Sequence, residues 1–130
     1  MEVMDKNVCL DSDVVIGLMK GDPQAVSLIE RLQHSTVHIT SISSFELSLR
    51  ETRLSVIEDF INNVIVLPFD LAASKKASEI FKQLKRSGKM IELRDVFIAA
   101  TCITHRCTLM TFNRKHFEHI KEIRVLQQKA

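Results

Sequence analysis

Three acidic side chains occur in segments whose neighbours are otherwise apolar. Asp95 interrupts the apolar run 93–102, Asp11 directly follows the run 8–10, and Glu46 shares a helix face with apolar residues. A carboxylate on a core-facing surface costs free energy unless a cation or a hydrogen-bond donor meets it. Because the three acids come from distant segments, we expect them to converge on one shared cation.

The chemistry of such a cluster follows from its charge. Carboxylates about 5 Å apart repel each other by about 3 kcal/mol per pair at an effective dielectric constant of about 20. A divalent cation relieves this repulsion, and hard oxygen ligands favour Mg²⁺, with Mn²⁺ as an alternative. A bound metal ion lowers the pKa of its water and neutralises charge on a phosphoryl group. The acids therefore predict metal-dependent hydrolysis of a phosphodiester.

The charge distribution indicates what kind of phosphodiester this is. The net charge is only +2, but residues 1–70 are net acidic and residues 71–130 are net basic. The densest basic stretch spans residues 71–94. This asymmetry favours a polyanionic partner such as a nucleic acid, although a solvated basic helix face is the alternative interpretation.

Composition places the chain among ordinary globular proteins. Residues 1–130 are expected to form a single domain, with 45% hydrophobic and 26% charged residues. No apolar run approaches the ~20 residues of a membrane span, and no cationic, then apolar, signal segment is visible at the start. The three cysteines are odd in number, lie in predicted strands or helices and have no metal-finger spacing, so we interpret them as small buried hydrophobic residues in a reducing cytoplasm. We therefore expect a cytoplasmic protein that does not bind a membrane.

The order of predicted elements gives the fold class. Short apolar strands alternate with amphipathic helices. The predicted strands are 8–10, 36–40, 64–67 and 107–110, with a possible fifth at 123–126. This pattern predicts an α/β fold of three layers, α/β/α, with a parallel sheet of four or five strands. Ligands of such sheets gather beyond the carboxyl ends of the strands, where Asp11 and Thr111 fall.

Four segments in chain order resemble the motifs of the PIN-domain nucleases. They are LDSDVVI at 10–16, ISSFEL at 42–47, DVFIAA at 95–100 and LMTFNRKHF at 109–117. Together they cover almost the whole chain. The length and the lack of further domains are similar to those of the VapC-type toxins. That resemblance implies a Mg²⁺-dependent endoribonuclease that is the toxin of a type II toxin–antitoxin pair, with RNA as substrate and a cognate antitoxin as partner.

The resemblance also implies roles for the acids. Asp11, Glu46 and Asp95 would be the catalytic, metal-binding carboxylates. Asn113 falls where many members of the family have a fourth acid, so it is a candidate catalytic residue that carries no charge. A second metal ion is therefore expected to bind more weakly in this chain.

Other polar side chains flank the same motifs. The hydroxyls of Ser12 and Thr111 are expected to support the site by orienting metal-bound water. Arg94, Arg114 and Lys115 are expected to bind the phosphates of the substrate.

Two alternatives remain open from the sequence. Asn113 leaves room for a catalytically inactive PIN-fold module that binds RNA or a protein. A phospho-acceptor domain of the receiver type is also conceivable, with Asp70 as acceptor after the strand 64–67. That alternative gives Glu46 and Asp95 no role.

Surplus apolar residues predict self-association. Leu47, Leu49, Leu54 and Phe60 exceed what the predicted core requires. We therefore expect a homodimer whose interface includes part of the Glu46 region and the helix that follows it.

Overall fold

Four short strands form a parallel sheet in the computed structural model, which describes residues 6–126. The strands are β1 (Asn7–Leu10), β2 (Thr36–Thr40), β3 (Ile65–Leu67) and β4 (Thr108–Met110). Their order across the sheet is β3-β2-β1-β4, and every neighbouring pair is parallel. The carboxyl ends of all four strands therefore lie at one edge of the sheet, as predicted.

The fifth predicted strand is reduced to a single parallel bridge between Leu109 and Val125. The amide of Leu109 donates to the carbonyl of Arg124 at 2.8 Å, and the amide of Leu126 donates to the carbonyl of Leu109 at 2.7 Å. Within the described part of the chain, these two hydrogen bonds of Leu109 do not continue into a longer run of strand pairing. The sheet thus has four strands, with this segment covering the edge of β4.

Within the described residues, six α-helices and one 3-10 segment connect and cover the strands. They are α1 (Ser12–Met19), α2 (Pro23–Glu30), α3 (Ser41–Ser48), α4 (Leu54–Asn62), α5 (Leu71–Ser87), α6 (Leu93–Thr104) and the 3-10 segment Arg114–Phe117. Side-chain oxygens of Asp11, Asp22, Thr40 and Asp70 cap α1, α2, α3 and α5. Each cap accepts a backbone N–H that the helix itself leaves without a partner.

Both faces of the sheet are buried. In β1, Val8 and Leu10 pack into one hydrophobic cluster, whereas Cys9 packs into the other. In β4, Leu109 and Met110 divide between the two clusters in the same way. Because successive side chains of a strand point to opposite faces, helices must cover both sides. This confirms the predicted three-layer α/β/α architecture. Across residues 6–126, every helix is too short or too polar to cross a bilayer.

The apolar surplus predicted for the α3–α4 region is partly exposed. Leu47 was expected to be surplus, but it is fully buried, because it lies one turn after Ser43 on the face of α3 that packs inward. Phe60 is half-buried. The exposed apolar side chains of these two helices and their ends are Phe45, Leu49, Leu54 and Val56.

Candidate active site

The carboxyl ends of β1 and β4 bring two polar side chains together. Asp11 follows β1, where it caps α1 and is only 1% exposed. Thr111 follows β4 and is equally buried. The hydroxyl of Thr111 donates a hydrogen bond of 2.9 Å to Oδ2 of Asp11. The ends of two adjacent parallel strands thus fix the direction of the Asp11 carboxylate.

A single guanidinium group joins the three predicted acids. The Nη2 atom of Arg94 lies 2.5 Å from Oδ1 of Asp11, and its Nε atom lies 2.5 Å from Oε2 of Glu46. Its Nη1 atom lies 2.6 Å from Oδ1 of Asp95. The structure therefore places acids from the end of β1, from α3 and from the first turn of α6 around one cation.

The outer oxygens of the same carboxylates also have partners. The Ser12 hydroxyl donates to Oε1 of Glu46 at 3.1 Å and accepts from Nη2 of Arg94 at 3.0 Å. The Nδ1 atom of His116 lies 3.2 Å from Oδ2 of Asp95. The outer oxygen of Asp11 accepts from Thr111, as described above. Every carboxylate oxygen of the three acids therefore lies next to a nitrogen or a hydroxyl group.

The electrostatics of the cluster keep Arg94 charged. Burial alone would lower the pKa of the Arg94 guanidinium, but its hydrogen bond to Glu46 and the charge of Asp11 raise that pKa above its ordinary value. The Arg94 side chain is 27% exposed, whereas those of Asp11 and Asp95 are almost fully buried. The guanidinium thus neutralises buried carboxylates from the open side of the cluster.

A fourth acid, Asp13, contacts the residues that follow β4. Its Oδ2 atom accepts hydrogen bonds from the amide of Phe112 and from Nδ2 of Asn113, both at 3.1 Å. Its Oδ1 atom is buried and has no hydrogen-bond partner. Burial and the charge of Asp11 raise the pKa of Asp13 to about 6. The side-chain amide of Asn113 thus contacts Asp13 rather than the three acids that surround Arg94.

The predicted phosphate-binding residues lie in two places. Arg114 and Lys115 belong to the 3-10 segment and line a surface cavity of about 370 Å³ together with Phe117. The Nε atom of Arg114 is buried and has no hydrogen-bond partner. Arg94, expected to face phosphate, instead lies against the acids. The sequence shows that Arg94 directly precedes Asp95 in α6. That position alone does not indicate which acids from distant segments Arg94 contacts.

The donor chemistry of the cluster fits a hard divalent cation. The described residues contain no group of three or more His, Cys, Asp or Glu arranged to hold a metal ion. The three acids around Arg94 nevertheless offer carboxylate oxygens, and the Oδ1 atom of Asp13 is buried without a hydrogen-bond partner. Oxygen donors of this kind are the ligands that Mg²⁺ and Mn²⁺ prefer.

The hydroxyl of Thr111 is expected to stabilise the metal-free fold. In Thr111→Val, Oδ2 of Asp11 loses its donor while remaining buried, which should lower the free energy of unfolding by about 1–3 kcal/mol. Urea denaturation in EDTA measures this change. The control is Thr52→Val, at an exposed position, which should stay within about 0.5 kcal/mol of the wild type. Equal stability of the two variants would contradict the assignment.

The chain is similar to known proteins over most of its length. The family model described as PIN domain matches residues 8–123. The tRNA(fMet)-specific endonuclease VapC of Salmonella typhimurium is 31% identical over 123 residues, covering 89% of this chain and 93% of the relative. Ribonuclease VapC1 of Methanocaldococcus jannaschii is 29% identical and covers 94% of this chain and 87% of the relative.

Solved structures share the same fold. DNA-bound VapBC from Salmonella typhimurium contains a chain that superposes with a TM-score of 0.79 at 21% identity, covering 96% of this chain and 100% of that one. VapBC-1 from nontypeable Haemophilus influenzae gives a TM-score of 0.79 at 22% identity, with 95% and 99% coverage. Since the family model spans nearly the whole described chain, this protein belongs to the PIN domain family.

Proposed function

We propose that this protein is a metal-dependent endoribonuclease that hydrolyses RNA phosphodiester bonds, and that it is the toxin of a type II toxin–antitoxin pair. The observation that carries the proposal is the meeting of Asp11, Glu46 and Asp95 around one cation. Relatives that the chain matches over most of its length are named as ribonucleases.

The three carboxylates would hold Mg²⁺, or Mn²⁺ in its place. When bound, the metal ion supplies a water of lowered pKa and neutralises charge on the phosphoryl oxygens. Asp11 and Asp95 would contribute from buried positions, because one directly follows a central strand and the other lies in the first turn of α6. Glu46, half-buried on α3, would complete the set.

The polar neighbours of the acids would keep them oriented. Thr111 holds Asp11, and the Ser12 hydroxyl holds Glu46, in the way that hydrogen-bond partners orient metal ligands. Asn113, the candidate for a fourth catalytic position, would act by fixing Asp13 through its amide. It brings no negative charge, so a second metal ion would depend on the phosphates of the substrate.

The RNA backbone would be bound by the basic side chains around this edge of the sheet. Arg114 and Lys115 follow β4 on the 3-10 segment, close in sequence to Thr111 and Asn113. Arg94 lies at the open side of the acid cluster and would contact phosphate when released from the acids. Such contacts neutralise phosphate charge without reading base sequence. RNA cleavage of this kind would take place in the cytoplasm.

An antitoxin would be the protein partner. The structures with the same fold include VapBC from Salmonella typhimurium bound to DNA and a toxin–antitoxin complex from Klebsiella pneumoniae. An antitoxin segment that covers the acid cluster would inhibit cleavage, and a basic side chain in that segment would match the negative charge.

The alternative of an inactive RNA- or protein-binding module draws on Asn113, which is neutral where a fourth acid would be expected. The receiver-type alternative finds no support. Asp70 caps α5 by accepting the amide of Ala73 at 3.0 Å. Asp70 takes no part in the hydrogen bonds and ion pairs that join Arg94 to the three acids.

Asp95→Asn is expected to lower Mg²⁺-dependent RNA cleavage by about 100-fold or more, because it removes a buried charge that would bind the metal. A fluorescent RNA cleavage assay measures the rate, and circular dichroism checks the fold. Asp59→Asn, at an exposed position on α4, is the matched control and should cleave normally. Full activity of Asp95→Asn would remove Asp95 from the mechanism. A folded wild type that binds RNA but cleaves none with Mg²⁺ or Mn²⁺ would support the inactive module.

We further propose a homodimer through the exposed apolar side chains of α3 and α4. Leu49 is 64% exposed and lies at the end of α3. Leu49→Glu should raise the dimer dissociation constant by at least about tenfold, as measured by sedimentation velocity. Leu71→Glu, exposed at the start of α5, should leave it unchanged. A wild-type protein that sediments as a monomer at high concentration would contradict this assembly.

A further inference from the structure

We propose that the Arg94 guanidinium is a built-in counter-ion of the acid cluster, and that a divalent metal ion enters the site only by displacing it. The inference rests on the metal-dependent function proposed above and adds a step that precedes it. In the metal-free protein, Arg94 would hold the three acids together and keep the site closed to metal. Metal binding would then be an exchange of one cation for another.

The geometry leaves no room for both cations. Each of three Arg94 nitrogens contacts one carboxylate oxygen, on Asp11, Glu46 and Asp95, at 2.5–2.6 Å. These oxygens come from three elements of the fold and surround the one guanidinium group. Mg²⁺ requires oxygens at about 2.0–2.1 Å around a compact octahedron. A planar guanidinium that separates the acids therefore excludes such a shell.

The remaining oxygens are also engaged. The outer oxygen of Asp11 accepts from Thr111, and the outer oxygen of Glu46 accepts from Ser12. These hydrogen bonds orient the outer oxygens, while Arg94 contacts the inner ones. Among residues 6–126, no group of three or more His, Cys, Asp or Glu is arranged to hold a metal ion. The inner oxygens become available only when Arg94 moves.

Charge favours the exchange and exposure permits it. Three carboxylates and one guanidinium leave the cluster net negative, so a divalent ion neutralises it better than Arg94 does. The Arg94 side chain is 27% exposed, which gives it a path to solvent, whereas Asp11 and Asp95 are buried and stay in place. The backbone of Arg94 precedes Asp95 in α6. The released guanidinium therefore remains tethered at the mouth of the site, where a phosphate can bind it.

Arg94 should therefore lower the apparent affinity of the site for metal. Part of the binding free energy of the metal is spent on breaking three ion pairs, so the apparent affinity is lower than the carboxylates alone would give. Removing the guanidinium should therefore tighten metal binding. The same change should destabilise the metal-free fold, because buried carboxylates would lose their counter-charge.

Calorimetric titration with Mn²⁺ tests the exchange. Arg94→Gln keeps a polar side chain of similar length and removes the charge, and its dissociation constant for Mn²⁺ should fall by about tenfold or more. Arg94→Lys keeps the charge but cannot span three acids, so it should fall between the wild type and Arg94→Gln. Arg86→Gln, exposed on α5, controls for the loss of one positive charge. Unchanged or weaker Mn²⁺ binding by folded Arg94→Gln would overturn the proposal.

A second measurement follows the wild-type protein and uses a variant only to assign one resonance. The Nε–H resonance of Arg94, assigned by its loss in Arg94→Lys, should shift when diamagnetic Mg²⁺ saturates the site, because its partner Glu46 is lost. An unchanged resonance at saturating Mg²⁺ would show that Arg94 stays on the acids and would overturn the exchange.

The two hypotheses fail in different ways. If the wild type cleaves RNA with Mg²⁺ and Asp95→Asn does not, the proposed function stands even when Arg94 shows no exchange. If the wild type neither binds Mn²⁺ nor cleaves RNA, both the function and the exchange are rejected.

Discussion

The structure depends on neutralising three carboxylates that the fold forces together. Asp11 and Asp95 are 1% and 2% exposed, so water cannot screen their repulsion. Buried charges persist only when paired and hydrogen-bonded, and removing one partner of a buried pair typically costs about 3–5 kcal/mol. In this chain the partner is Arg94, and hydroxyl groups satisfy the outer oxygens. Charge balance at this one point therefore ties together β1, α3 and α6.

The sheet makes this convergence possible. Its parallel strands end at one edge, so Asp11 after β1 and Thr111 after β4 become neighbours although 100 positions separate them. Packing on both faces of β1 then leaves the strand end little freedom. A rigid scaffold of this kind holds functional groups within the tolerance that metal chemistry requires. The positions of the acids therefore depend on the fold as much as on the local sequence.

Sequence reasoning predicted the acids and the fold because both leave local signals. An acid within an apolar run, as at Asp95, is costly and therefore informative. The contacts of Arg94 could not be predicted, because they join segments that sequence spacing does not relate. Leu47 was assigned to the surface because hydrophobicity alone does not say which of two leucines faces the core. The possible fifth strand at 123–126 forms only one bridge, at Val125, because its pairing depends on the edge of β4 and not on local propensity.

Crystals of the protein grown with Mn²⁺ would show whether the metal takes the place of Arg94, because the anomalous signal locates manganese without any variant. We expect one manganese ion bound by Asp11, Glu46 and Asp95, with the Arg94 guanidinium turned outward from the acids. Manganese bound elsewhere, with Arg94 still between the three carboxylates at saturating metal, would contradict it.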